Sequence, residues 1–134
     1  MIDKDMIDKM DTVNTESSHK FKIGISSLLE KRGVLLILSS NFIGKTFIIE
    51  KPRVLIGRSE SADFCIKDPL ISKEHCLITV SDDNKFFIED LNSTNSTFLN
   101  GKEVKKKTQI FYGERIVIGE TIIRFYLEEK LEKK

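Results

Sequence analysis

The sequence predicts an all-β domain, an antiparallel sandwich of two packed sheets, on three observations. From residue 33 onward, short β-branched and aromatic runs recur with turn residues between them. No window between residues 33 and 127 keeps a helical period for three turns, which argues against alternating strands and helices. With 134 residues, 40% of them hydrophobic, the chain can bury one sizeable core shared by two facing sheets.

Residues 1–32 read as a polar N-terminal extension. Ile2, Met6, Met10 and Val13 recur at roughly helical spacing among Asp, Ser, Thr and Lys, so a short helix and disorder both stay open. Phe21, Ile23 and Ile25 then alternate like a strand, while Leu28 to Lys31 favour a helical turn. The domain proper is placed at 33–128, with strands at 34–38, 45–49, 53–57, 75–80, 86–91, 115–118 and 121–126 and shorter ones near Phe64 and Thr97. Between them stand Ser39-Ser40-Asn41, Lys51-Pro52, Ser81-Asp82-Asp83-Asn84, Asn100-Gly101 and Tyr112-Gly113, which supply turn chemistry or positive φ. The charged stretch 129–134 reads as a frayed tail.

Charge narrows the partners. The chain carries 22 Lys+Arg against 21 Asp+Glu, so no global field draws it to nucleic acid or membrane, and any anion site must be local. Asp3, Lys4 and Asp5 follow Met1 where a targeting peptide would carry a basic and then an apolar stretch, and no apolar run approaches bilayer length. A cytoplasmic protein is expected. Cys65 and Cys76 sit among apolar neighbours and are expected to be free thiols. His75 and Cys76 are adjacent and would point to opposite faces of a strand, so neither a metal nor a cofactor is expected.

Loops at the end of a rigid sandwich are where recognition chemistry gathers. Gly57-Arg58-Ser59, Ser72-Lys73-Glu74-His75 and the 92–97 segment all offer hydrogen-bond donors, and Arg58 and Lys73 add positive charge. That inventory suits a phosphate: a guanidinium fork, a compact ammonium and hydroxyls that rotate into place. The Asn95 amide adds the ability to donate to one peptide carbonyl and accept from a peptide N–H, so phosphate and ligand backbone could be read together.

In order and spacing, Gly57-Arg58, Ser72-x-x-His75, Ser93-Thr94-Asn95 and Asn100-Gly101 resemble the forkhead-associated (FHA) family. Asp63 and Asp68, Asp90-Leu91 and the 113–119 segment agree with that resemblance. It implies an FHA/SMAD-like sandwich of about eleven strands that binds phosphothreonine peptides without altering them, an adaptor in kinase-linked signalling. By position, Arg58 would hold the phosphate, Ser72 and Thr94 would complete its cradle, Lys73 would add charge, and Asn95 would fix the peptide backbone. Gly57, His75, Asn100 and Gly101 would support the site structurally. Where the family usually has glycine after the asparagine, this chain has Ser96; positive φ there would add about a kilocalorie of strain, and a turn centred on Asn95 would avoid it.

Each reading has a competitor. Arg58 could be a surface arginine paired with Glu60 or Asp63, and Ser72, Thr94 and Asn95 are singly ordinary turn residues. Gly44-Lys45-Thr46 ends like a nucleotide-binding loop, but Ser39 replaces the earlier glycine and the next residues are strand-like. A Ser72–His75 nucleophile pair lacks a carboxylate orienter. An FHA-like scaffold that binds proteins without phosphate is the third class, supported by Ser96. Lys105 to Lys107 read as a solvated hairpin tip. Thr12 and Thr15, if phosphorylated, could return to the chain's own site.

Overall fold

Alternation decides which residues form sheets, because a strand buries every second side chain. In a computed structural model describing residues 31–129, the chain runs as β1 (Lys31–Ile37), β2 (Thr46–Ile49), β3 (Arg53–Gly57), β4 (Phe64–Cys65), β5 (Cys76–Val80), β6 (Phe86–Asp90), β7 (Thr97–Leu99), β8 (Lys102–Glu103), β9 (Thr108–Ile110), β10 (Arg115–Ile118) and β11 (Thr121–Glu129). The readings for the N-terminal extension, for Thr12 and Thr15 and for the far C-terminus lie outside the described residues.

The strands form a six-stranded sheet, β2-β1-β11-β10-β7-β8, and a five-stranded sheet, β4-β3-β5-β6-β9. Leu35 and Ile37 of β1 and Ile123 and Phe125 of β11 point inward from the first; Ile56, Ile78 and Ile88 answer from the second, and all seven are fully buried. Each such side chain stabilises the fold by about 1.5–3 kcal/mol. The expected sandwich is therefore present, with one departure from antiparallel order. β3 and β4 pair in parallel, Ile56 with Phe64 and Gly57 with Cys65. The loop after Gly57 turns the chain back alongside β3 and leaves a two-residue strand, whose apolar anchor is Phe64.

β8 and β9 are not visible in the residues themselves. Lys102 and Glu103 are both exposed, so β8 buries nothing that a pattern could reveal; pairing with β7 makes it a strand. The residues after Gly44 form a strand, as their pattern predicts. Gly44 (φ 89°) closes the β1–β2 turn, and Thr46 enters β2 directly. A strand stands where a helix N-terminus would have to face the phosphates.

The ladders bring three loops to one end. Ile56 of β3 pairs with Cys76 of β5, which pairs with Asp90 of β6. Ile118, at the end of β10, lies opposite Thr97, the first residue of β7. The connections 58–63, 66–75 and 91–96 therefore leave the sandwich side by side.

Phe125→Ala should lower unfolding stability by about 3–5 kcal/mol and Ile78→Val by about 0.5–1.5 kcal/mol. Urea titration should show both as a lower midpoint with an unchanged slope.

Candidate functional site

The site begins with a glycine that has no room for a side chain. A Cβ on Gly57 would sit 2.0 Å from the Lys73 carbonyl oxygen and 3.1 Å from the Glu74 Cα, so the 66–75 loop lies directly on the end of β3. Gly57 is needed for this close approach; among the described residues the positive-φ glycines are Gly44, Gly101, Gly113 and Gly119. Two backbone bonds follow from it: Arg58 N–H donates to the Ser72 carbonyl (3.0 Å) and Ser59 N–H to that of Lys73 (3.2 Å).

His75, fully buried, joins this loop to the next one. Its Nδ1 accepts from the Ser72 N–H (3.0 Å), so the ring proton sits on Nε2, which donates to the Ser96 carbonyl (2.8 Å). Above this tie, the Thr94 N–H donates to Ser72 Oγ (3.0 Å) and Asn95 Nδ2 donates to the Leu70 carbonyl (2.9 Å). Ser96 has φ 68°, the positive angle expected of a glycine position; its hydroxyl donates to Glu103 (3.0 Å). These bonds offset the roughly 1–2 kcal/mol of left-handed strain, and the loop keeps its turn without glycine.

The Arg58 Nε–H donates to the Ile71 carbonyl (2.8 Å), which aims the rest of the guanidinium. The two carboxylates that could have neutralised it are engaged elsewhere: Asp63 with Lys51 (2.6 Å) and Glu60 with Lys67 (3.4 Å). Among the described residues Arg58 makes no ion pair.

Two aspartates whose anchoring role is not legible along the chain hold the loops from below. Asp68, 1% exposed, accepts from Leu70 N–H (2.9 Å), Glu120 N–H (2.7 Å) and Thr121 Oγ1 (2.8 Å), pinning the 66–75 loop to the β10–β11 turn. Asp90 accepts from Ser93 Oγ (2.6 Å), Ser93 N–H (3.0 Å) and Thr97 Oγ1 (2.6 Å), shaping the 91–96 loop. Burial pushes both carboxyls up, but the hydrogen bonds to their charged forms outweigh it and leave both below their ordinary range. The Asp90–Ser93 spacing is a recognisable local turn signal. Asp68 has the local turn bond to Leu70 but no local sign of its anchoring role, since its other two partners lie 52 and 53 residues away.

The structure thus brings Arg58, Ser72, Lys73, Thr94 and Asn95 onto adjoining loops, with Gly57 and His75 beneath them. Asn100 and Gly101 stand apart. With φ of 50° and 85° they form the two-residue β7–β8 hairpin turn, at the opposite end of β7, where Asn100 Oδ1 accepts from the Arg115 N–H (3.0 Å). Both cysteines are free; burial, then the nearby Asp90 charge, push the Cys76 thiol up to about 12, so it stays protonated. Among the described residues no His/Cys/Asp/Glu group could hold a metal ion.

Residues 54–119 match the family model described as FHA domain. The chain is 27% identical over 89 residues to "FHA domain-containing protein FhaB" of Mycobacterium tuberculosis, covering 66% of this chain and 57% of that protein. The FHA domain of the CT664 protein from Chlamydia trachomatis superposes with a TM-score of 0.66 at 26% identity, over 71% of this chain and 96% of that one. A structure from an analysis of phosphothreonine-dependent FHA domain interactions gives 0.65 at 27% identity, over 71% and 95%. The chain spans little more than half the length of the curated relative.

Gly57→Ala should cost about 2 kcal/mol or more, because the nearest atoms are backbone and cannot rotate away; thermal unfolding reads it. The depressed carboxyls give stability that is complete above their unfolded value of about 3.9 and is lost as pH falls through the lower folded values. Wild type should therefore lose stability in acid below about pH 4, and Asp68→Asn should start less stable at neutral pH and show a shallower acid slope.

Proposed function

Since this chain belongs to the FHA-domain family, we propose that it is a phosphothreonine-dependent binding module and not an enzyme, serving as an adaptor in kinase-linked signalling. The observation that carries the reading is Arg58: a guanidinium steered by a backbone carbonyl, left without a carboxylate partner among the described residues, beside two hydroxyl-bearing loops. Arg58 holds the phosphate, Ser72 and Thr94 contribute hydroxyls to it, Lys73 adds charge from the rim, and Asn95 grips the peptide main chain. Ser72 Oγ already accepts from Thr94 N–H, so its own proton is directed elsewhere and is available to an anion.

A few charge-assisted bonds of about 1.5–3 kcal/mol each, less the cost of ordering a flexible peptide, give affinity near micromolar, about −8 kcal/mol. Preference for threonine over serine rests on burying one methyl, about 1 kcal/mol. The module spans residues 33–128 and acts in the cytoplasm, in keeping with two free cysteines. Among the described residues no helix is long and apolar enough to cross a membrane. Docking of a phosphorylated Thr12 or Thr15 remains a narrower version of the same reading, on residues outside those described.

Isothermal titration with phosphothreonine, phosphoserine and unmodified peptides should give binding only to the phosphorylated forms. Arg58→Ala should weaken it by roughly 10- to 100-fold. Unmodified peptides binding as tightly would replace this reading by a phosphate-independent scaffold, and magnesium-dependent binding of ATP would point back to nucleotide chemistry.

A further inference from the structure

The lysines at the β8–β9 junction are not spread evenly about the fold. Val104 N–H donates to the Thr97 carbonyl (2.8 Å), so the chain leaving β8 travels back toward the 91–96 loop, and Lys105 follows at the level of Ser96. From the other side, β9 pairs Thr108 with Ile88; continuing that register brings Lys106 level with Asp90, the aspartate that shapes the same loop. Lys105 and Lys106 therefore flank the outer side of the loop that presents Thr94 and Asn95. Lys102 does not: it pairs with Leu99 beside the hairpin turn, about 7 Å further along β7 from Thr97.

All four lysines, including Lys107, are exposed and make no ion pair among the described residues. Lys107 rests over the Phe87 ring, 5.5 Å from its centroid, and is thereby held to the sheet. Three carboxylates lie nearby: Glu103, which accepts from the Ser96 hydroxyl (3.0 Å), Asp90, held by Ser93 and Thr97 inside the loop, and Glu89, level with Lys107 in the continued β6–β9 register; none of them forms an ion pair with Lys105 or Lys106 among the described residues. Loop and rim lie within a Debye length, so the positive field of the rim reaches a ligand crossing Asn95.

The geometry points to Lys105 and Lys106 as a subsite for carboxylate side chains, by which the module prefers phosphothreonine ligands carrying Asp or Glu where the peptide passes Asn95. This rests on the phosphopeptide reading of the adjoining site. Lys105 and Lys106 are specificity determinants outside the phosphate cradle, and they act through charge that salt can screen.

The test uses the full chain and three phosphothreonine peptides: one neutral at its flanks, one with three glutamates before the phosphothreonine, one with three after. At low salt, one of the acidic peptides should bind about three- to tenfold tighter than the neutral one, and the gap should close as salt approaches about 1 M. Lys105→Gln/Lys106→Gln should abolish the preference, weakening the favoured acidic peptide to the level of the neutral one, while the neutral peptide, whose phosphate feels the rim only through the screened field, changes by less than about threefold. Lys85→Gln/Lys102→Gln, with the same loss of charge at the other end of the sandwich, should keep it. Equal affinity for all three peptides at low salt, or equal loss in both double variants, overturns the subsite. If the neutral peptide still binds in an Arg58-dependent way, only the subsite falls; if no phosphopeptide binds, the parent reading falls with it.

Discussion

The arrangement of the recognition end depends on one neutral imidazole. His75 lies fully buried between two loops and uses both ring nitrogens, one as acceptor from Ser72 N–H and one as donor to the Ser96 carbonyl. Lysine or arginine could only donate at such a position and a carboxylate could only accept, whereas histidine does both from one rigid ring. Because each bond is made to backbone, the ring fixes where the two loops run. Their exposed residues are then free to face a ligand.

Around that tie the site is built from loop against strand end. The bare α-carbon of Gly57 lets the 66–75 loop settle on β3, and Asp68 and Asp90 draw their charge stabilisation from N–H and O–H donors in place of basic partners. Anchoring negative groups by neutral donors has an electrostatic consequence. Arg58, Lys105 and Lys106 form no ion pair with these two aspartates, so the positive charge at this end is not spent on them. A net charge of +1 conceals this, because the asymmetry is local.

Ser96 shows how a motif can be breached without losing its geometry. The residue adopts φ 68°, and the strain is offset by bonds at its carbonyl and hydroxyl. Side-chain chemistry has replaced conformational freedom, and the loop that carries Asn95 is retained.

The sheet-forming runs, most strand positions and the residue types for a phosphate site are legible along the chain, because alternation, turn chemistry and donor inventory act over a few neighbours. Arg58, Ser72, Thr94 and Asn95 were legible as a set, since their order along the chain matched a known pattern. It took the packed sheets to place Asn100 and Gly101 away from the site, to set β3 and β4 parallel, to make Lys102–Glu103 a strand and to make Asp68 an anchor. Each of these depends on partners brought together by packing the sheets, and a bond such as Asp68 to Thr121, across 53 residues, leaves no mark in local sequence.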